Sequence, residues 1–254
     1  PAPMVPPAEG DQVVPWTPIR KKIAENLVAS KRTSPHVHTF AEVDMHRAVA
    51  HRAKAKTEGV NLTYLPFLIQ AAAKALREIP AMNALVSGES TVLKKEIHIS
   101  VAVDTEKGLL VPVVRNADRK SLAELAAIMD DFGARAKAGK VSPDELTGGT
   151  FSISNPGLKG NLFGTPIINQ PEVAILGISR AAIEPQYRGG QFVPRHMLPL
   201  SLSYDHRAID GADAARFLRF VADGLAKIWG TPAVVMNRPG ANGSLAARAA
   251  AEAA

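Results

Sequence analysis

The residues best suited to chemistry stand together in Tyr204-Asp205-His206-Arg207-Ala208-Ile209-Asp210-Gly211. Histidine has an unperturbed pKa of about 6.5 and can take and return a proton near neutrality, so His206 reads as a general base. Asp210, four residues on, is placed to orient a neighbour or stabilise a cation. A plainer reading makes Asp205 and His206 a polar strand end and Asp210-Gly211 the start of a helix. Ser154, in Phe151-Ser152-Ile153-Ser154-Asn155, offers a hydroxyl donor, although a serine in such a strand ordinarily just satisfies backbone. A metal centre needs a third ligand, and no cluster in the sequence supplies one.

Hydrophobic periodicity locates the elements that must hold these residues. Helical spacing of Ile19, Ile23, Leu27 and Val28 predicts a helix over 17–31, with Thr17 as N-cap, Pro18 in the first turn and an end before Pro35. Alternation over 36–44 predicts a strand, and a helix follows over 45–56. The span 65–79 is apolar nearly all round, which predicts a buried helix. Strands over 97–103 and 109–114, joined by turn residues 104–108, read as a hairpin. Ser121 with Glu124 makes a capping box for a helix ending at Gly139. Short strands are expected over 151–155, 173–178 and 197–204, and a last helix over 212–229. His38 and His98 sit in strands and read as structural, no role follows for His36 after Pro35, and Trp16 and Trp229 read as packing anchors. Strands mixed with helices give an α/β two-layer sandwich with a mixed sheet packed by helices.

Composition narrows the chemistry further. With 254 residues, 46% hydrophobic and 21% charged, the chain is a soluble globular one and not a disordered segment. It has no cysteine, which removes disulfides, thiolate metal sites and a cysteine nucleophile. The formal charge of +6 is compatible with nucleic acid, membrane surface or a phosphorylated ligand. Dispersed basic residues and an aromatic content of 5% argue against nucleic acid, and no apolar run is long enough to span a bilayer. Residues 1–15 hold five prolines and read as a Pro/Ala linker cut from a longer chain. The organisation expected is that linker, a catalytic domain over 16–236 and a tail over 237–254.

The segment LSLSYDHRAIDGADAARFL contains His-Arg-x-x-Asp-Gly and resembles the signature of the dihydrolipoamide acyltransferases, the E2 catalytic cores of 2-oxo acid dehydrogenase complexes. The likeness continues through PIRKKIAENL, SPHVHTFAEVD, VAVDTEKGLLVPVV, LTGGTFSISNPG and GTPIINQPEVAILGIS, in the family's order, over roughly 14–236. The resemblance implies a chloramphenicol acetyltransferase-like fold. It also implies transfer of an acyl group from a dihydrolipoyl arm, carried by a separate lipoyl domain, to coenzyme A as co-substrate. His206 then matches the catalytic base, Asp210 the aspartate of the same motif and Ser154 the donor to the oxyanion.

By the same resemblance Arg52, Thr63, Asp104, Asn155, Gly177 and Ser179 line the coenzyme A channel. Each also has a local reading: Arg52 as a solvated helix residue, Thr63 as a helix cap, Asp104 as a turn residue, Gly177 as a strand breaker. The family's active site forms between subunits of a homotrimer, and trimers join into a cube of 24 or a dodecahedron of 60. The segment 231–236 stands where the corner contact is made, and the tail after it departs from the usual pattern. Upstream domains would meet the E1 and E3 components, in the bacterial cytoplasm or the mitochondrial matrix. Acetyl or branched-chain groups are favoured over succinyl, since Ser154 stands where threonine would accompany succinyl. The alternatives are a free-standing chloramphenicol-type acetyltransferase and a catalytically silent scaffold of the same fold.

Overall fold

The protein is described here from a computed structural model that covers residues 5–57, 63–105, 108–155, 160 and 162–229. Helix α1 (Pro18–Thr33) starts where Thr17 accepts a hydrogen bond from the Arg20 amide, with proline in the first turn. Strand β1 (His36–Asp44) follows, and the Asp44 carboxylate accepts from the His46 amide to open α2 (His46–Thr57). Helix α3 (Leu65–Glu78) buries Phe67, Leu68, Ile69 and Leu76, as its apolar composition requires. Strands β2 (Ala84–Ser87) and β3 (Ser90–Leu93) form a small hairpin that no apolar alternation announces.

Strands β4 (Ile99–Val101), β5 (Val103–Thr105), β6 (Gly108–Leu110) and β7 (Val113–Val114) come from the expected single hairpin, which the structure splits in two. β4 pairs with β7 inside the main sheet, whereas β5 and β6 pair only with each other. Pro112 lies at the break and has no amide to continue a ladder. Asp104 therefore sits in β5 opposite Leu109 and not in a turn. Helix α4 (Leu122–Lys137) has the predicted Ser121–Glu124 capping box.

The remaining elements are β8 (Phe151–Ser154), β9 (Ala174–Ile178), β10 (Ala182–Arg188), β11 (Gln191–Asp205) and α5 (Gly211–Trp229). β11 is nearly twice the expected length because its first half pairs with β10, an edge strand around the turn Gly189-Gly190. Both glycines have positive φ, 58° and 86°, as a two-residue hairpin turn demands. Facing prolines Pro185 and Pro194 hide this hairpin from a reading of periodicity. The seven-stranded sheet runs β1-β11-β9-β8-β4-β7, with β10 on β11.

Period two divides the sheet into two faces. Val101, Ile153, Leu176 and Leu202 are register partners on one face and are buried against α3 and α5. Phe151 and Phe217 tie β8 to α5 with ring centroids 5.3 Å apart, so Phe217→Ala would remove about 3–5 kcal/mol. The opposite face is polar. One row holds Ser100, Ser152, Ile175, Ser203 and His38, and the next Ser154, Gly177, Ser201 and Phe40. It is covered by α1 and the stretch 162–171: Ser30 donates to the Ile168 carbonyl at 2.6 Å, and the Phe40 ring meets Phe163 edge-on. Trp16 is 61% exposed and is not the buried packing anchor expected. The Trp229 side chain, the segment 231–236 and the tail 237–254 lie outside what the structure describes.

Candidate active site

His206 is the first residue after β11, in a turn fastened on both sides of it. Asp205 is 1% exposed and receives a two-pronged contact from Arg207, Nε to Oδ1 at 3.0 Å and Nη2 to Oδ2 at 2.6 Å. Burial pushes the Asp205 carboxyl up, but hydrogen bonds from Arg207 and Ser34 outweigh it and hold the group below the usual carboxylate range. Ile209 is buried in the core, and Asp210 caps α5 through its carbonyl, which accepts from the Ala214 amide at 3.1 Å. Between these anchors His206 is exposed, its amide donating to the Pro35 carbonyl and its ring 5.7 Å from that of Tyr204. The turn thus presents an imidazole outward on a rigid base.

Ser154 ends β8 and lines a cavity of about 300 Å³ with Leu109, Val111, Ile153, Pro166 and Ile175. That size and apolar lining suit a small organic group or the end of a flexible arm. Among the described residues none hydrogen-bonds the Ser154 hydroxyl. Gly177 lies directly beside it in the register, where a Cβ would come 2.4 Å from Ser201 Oγ. The glycine is therefore required by close packing of β9 on β11 and not by a ligand alone.

Strand direction separates His206 from Ser154. β1, β4, β8 and β9 run one way and β11 the other, so Ser154 leaves one edge of the sheet and His206 the opposite edge. Ser154 is level with Gly177 and Ser201, and His206 lies five residues past Ser201. At ~3.4 Å per residue along β11 and ~4.8 Å per strand across it, the two are roughly 17 Å apart lengthwise and roughly 10 Å apart sideways. One copy of the chain does not bring the base to the hydroxyl.

The family described as 2-oxoacid dehydrogenases acyltransferase (catalytic domain) matches residues 8–231. The chain belongs to this family. It is 47% identical over 221 residues to the dihydrolipoyllysine-residue acetyltransferase component of the pyruvate dehydrogenase complex of Azotobacter vinelandii, covering 85% of this chain and 35% of that protein. It is 44% identical over 225 residues to the succinyltransferase component of the 2-oxoglutarate dehydrogenase complex of the same organism, covering 85% and 56%. The chain thus spans about a third to a half of the length of these relatives.

A solved structure of the Azotobacter acetyltransferase superposes with a TM-score of 0.83 at 44% identity, covering 90% of this chain and 98% of that one. That work concerns a serine, a histidine and an asparagine in the catalytic mechanism, the serine 52 residues before the histidine and the asparagine four after it. The cubic core of a pyruvate dehydrogenase multienzyme complex matches with a TM-score of 0.82 at 44% identity, over 90% and 98%. Chloramphenicol acetyltransferase, at 20% identity and a TM-score of 0.51 over 79% and 94%, shares the fold.

Within this acyltransferase domain the other expected channel residues divide. Asn155 follows Ser154, and Ser179 follows β9 at the same edge, buried with its hydroxyl unpartnered. Asp104 comes just after β4 at that edge too. The Arg52 guanidinium lies 4.2 Å from the Tyr64 ring centroid, which places it beside the start of α3. Thr63 is exposed next to it and caps nothing: the N-cap of α3 is Tyr64 and has no side-chain cap bond. Asp104, Asn155, Gly177 and Ser179 thus lie toward the Ser154 edge, and Arg52 and Thr63 beside the start of α3.

Two features of the acyltransferase domain escape a reading of sequence. His36 is a cross-link: its Nδ1 donates to the Ser34 carbonyl at 2.7 Å while Nε2 accepts from the Ile168 amide at 3.1 Å, which fixes its tautomer. Glu172 is a buried carboxyl beside the Ser154 cavity; burial pushes it up to about 7, against hydrogen bonding from Ser100 and Asn169 and from Ser152 just outside ordinary hydrogen-bond geometry. Nothing in Pro171-Glu172-Val173 marks it, since the burial comes from strands far away in the chain.

Proposed function

We propose that the chain transfers an acyl group from the thioester of a dihydrolipoyl arm to coenzyme A, with a catalytic centre assembled from two copies of the chain. The observation that carries this reading is the placement of His206 and Ser154 on opposite edges of one sheet. Copies arranged head to tail bring the His206 edge of one against the Ser154 edge of the next, and such a heterologous contact forms a ring where the rotation between copies closes. A ring of three is the arrangement the family resemblance implies. The similarity to a cubic core supports further joining of such rings.

His206 of one copy takes the proton of the coenzyme A thiol as its sulfur attacks the thioester carbonyl carbon. The carbonyl electrons move onto oxygen, where Ser154 of the neighbouring copy donates a hydrogen bond. The intermediate collapses with cleavage of the carbon–sulfur bond to the dihydrolipoyl group, and the imidazolium returns the proton to the leaving sulfur. A thiol of pKa near 8.5 is mostly protonated at neutral pH, so a positioned base is needed. The spacing of 52 and four residues among Ser154, His206 and Asp210 equals that of the serine, histidine and asparagine studied in the Azotobacter enzyme, and supports these roles with aspartate in the last position. Both reacting sulfurs arrive on substrates, so a chain without cysteine is fully equipped.

The test is coenzyme A-dependent thioester formation from acyl-dihydrolipoamide by native, His206→Ala and Ser154→Ala protein. Ser154→Ala is expected to lose about 10²–10³ in kcat and His206→Ala more. Native rates in the His206→Ala protein would remove His206 from the mechanism.

A further inference from the structure

The polar face that carries Ser154 also carries a buried carboxyl group. Glu172 is 2% exposed. Ser100 Oγ donates to its Oε1 at 3.0 Å, Asn169 Nδ2 approaches the same oxygen at 3.3 Å, and Oε2 has no partner. Among the described residues no lysine, arginine or histidine pairs with it. Ser152, the register partner of Ser100, stands two residues before Ser154 on the same face of β8. Ser152, Ser154 and Asn169 all line the cavity, so the carboxylate sits one side-chain layer behind its wall. The described wall contains no lysine, arginine or histidine either.

We propose that Glu172 is a specificity-determining residue, which keeps acyl groups ending in a carboxylate out of the Ser154 cavity and reserves it for uncharged groups of the acetyl or short branched-chain kind. The inference rests on the reading that this cavity receives the acyl thioester. A succinyl group reaching from Ser154 toward Ser152 would carry its carboxylate out of water into a site with no positive partner. Isolated burial of a charge is strongly unfavourable, and a like charge close by adds to the cost. An acetyl or isobutyryl group brings no charge along the same path. Discrimination here comes from a repulsive element, which attractive contacts to a neutral acyl chain do not supply.

The measurement is kcat/KM of the assembled native protein at pH 8 for acetyl-, succinyl- and succinamyl-dihydrolipoamide, followed by the same series with Glu172→Gln. Succinamyl has the shape of succinyl without its charge, so the native protein is expected to prefer it by at least about tenfold. Glu172→Gln is expected to shrink that preference by a similar factor. Equal use of succinyl and succinamyl by the native protein, or an unchanged ratio in folded Glu172→Gln protein, overturns the inference while leaving acyl transfer intact. The native comparison decides by itself if the variant does not fold. Failure of all three thioesters, acetyl included, overturns the acyltransfer reading and the inference with it.

Discussion

His206 and Ser154 stand at opposite edges of the same sheet, because β11 runs antiparallel to β9 and β9 runs parallel to β8. Each residue is well built where it stands, one on a turn clamped by Asp205 and Arg207, the other at the mouth of an apolar cavity. Neither has the other within reach in its own chain.

Subunit complementation follows from that separation. His206→Ala and Ser154→Ala chains, each nearly inactive alone, should regain activity when co-assembled. In a random equal mixture about a quarter of the head-to-tail contacts pair an intact histidine with an intact serine. Thioester formation by mixed rings, compared with the two separate variants, gives the measure; no recovery in verified mixed rings would place both residues within one chain's site.

The clamp on the histidine turn is testable by removing its charge. Asp205→Asn keeps the size but weakens the fork to Arg207, and about 2 kcal/mol of charge-assisted hydrogen bonding is at stake. Because Asp205 is buried in the turn that carries His206, kcat should fall about tenfold or more with KM little changed. A rise in KM at constant kcat would instead assign Asp205 to substrate binding.

Glu172 ties stability to pH. Its carboxyl is pushed up to about 7 in the folded protein from 4.5, so the folded state favours the protonated form. The group is neutral in both states below pH 4.5, costs progressively more as pH rises toward 7, and above that costs a constant amount of about 3 kcal/mol. Glu172→Gln should therefore match the native protein in urea unfolding near pH 4.5 and exceed it by up to about 3 kcal/mol at pH 8. An equal difference at both pH values would show that charge is not the cause.

Gly177 and Ser201 should be energetically coupled. A Cβ at residue 177 would come 2.4 Å from Ser201 Oγ and 3.4 Å from Pro166 Cγ, so Gly177→Ala should destabilise by about 1–3 kcal/mol. Ser201→Ala removes the first obstacle, and the double variant should recover much of the loss in thermal unfolding. Additive losses would mean that Pro166, and not Ser201, sets the limit.

Much of this was legible in the chain itself because the signals are local. Thr17 and Pro18 start α1, Ser121 and Glu124 cap α4, and the alternation over 36–44 is β1 residue for residue. The β10–β11 hairpin was hidden by Pro185 and Pro194, although the Gly189-Gly190 turn that closes it is a legible signal. The expected 97–114 hairpin divided at Pro112, where a missing amide decides between two ladders.

By itself the sequence determined which residues have the chemistry: a histidine in a strand-to-helix turn, a serine ending a strand, and the spacing between them. Only the tertiary structure decided that the two face away from each other, and that Glu172 lies behind the cavity wall. The physical reason is the same for both. Caps, turns and period two are set by neighbours a few residues apart, whereas the direction in which strands pair and the desolvation of a carboxyl are set by segments distant in sequence.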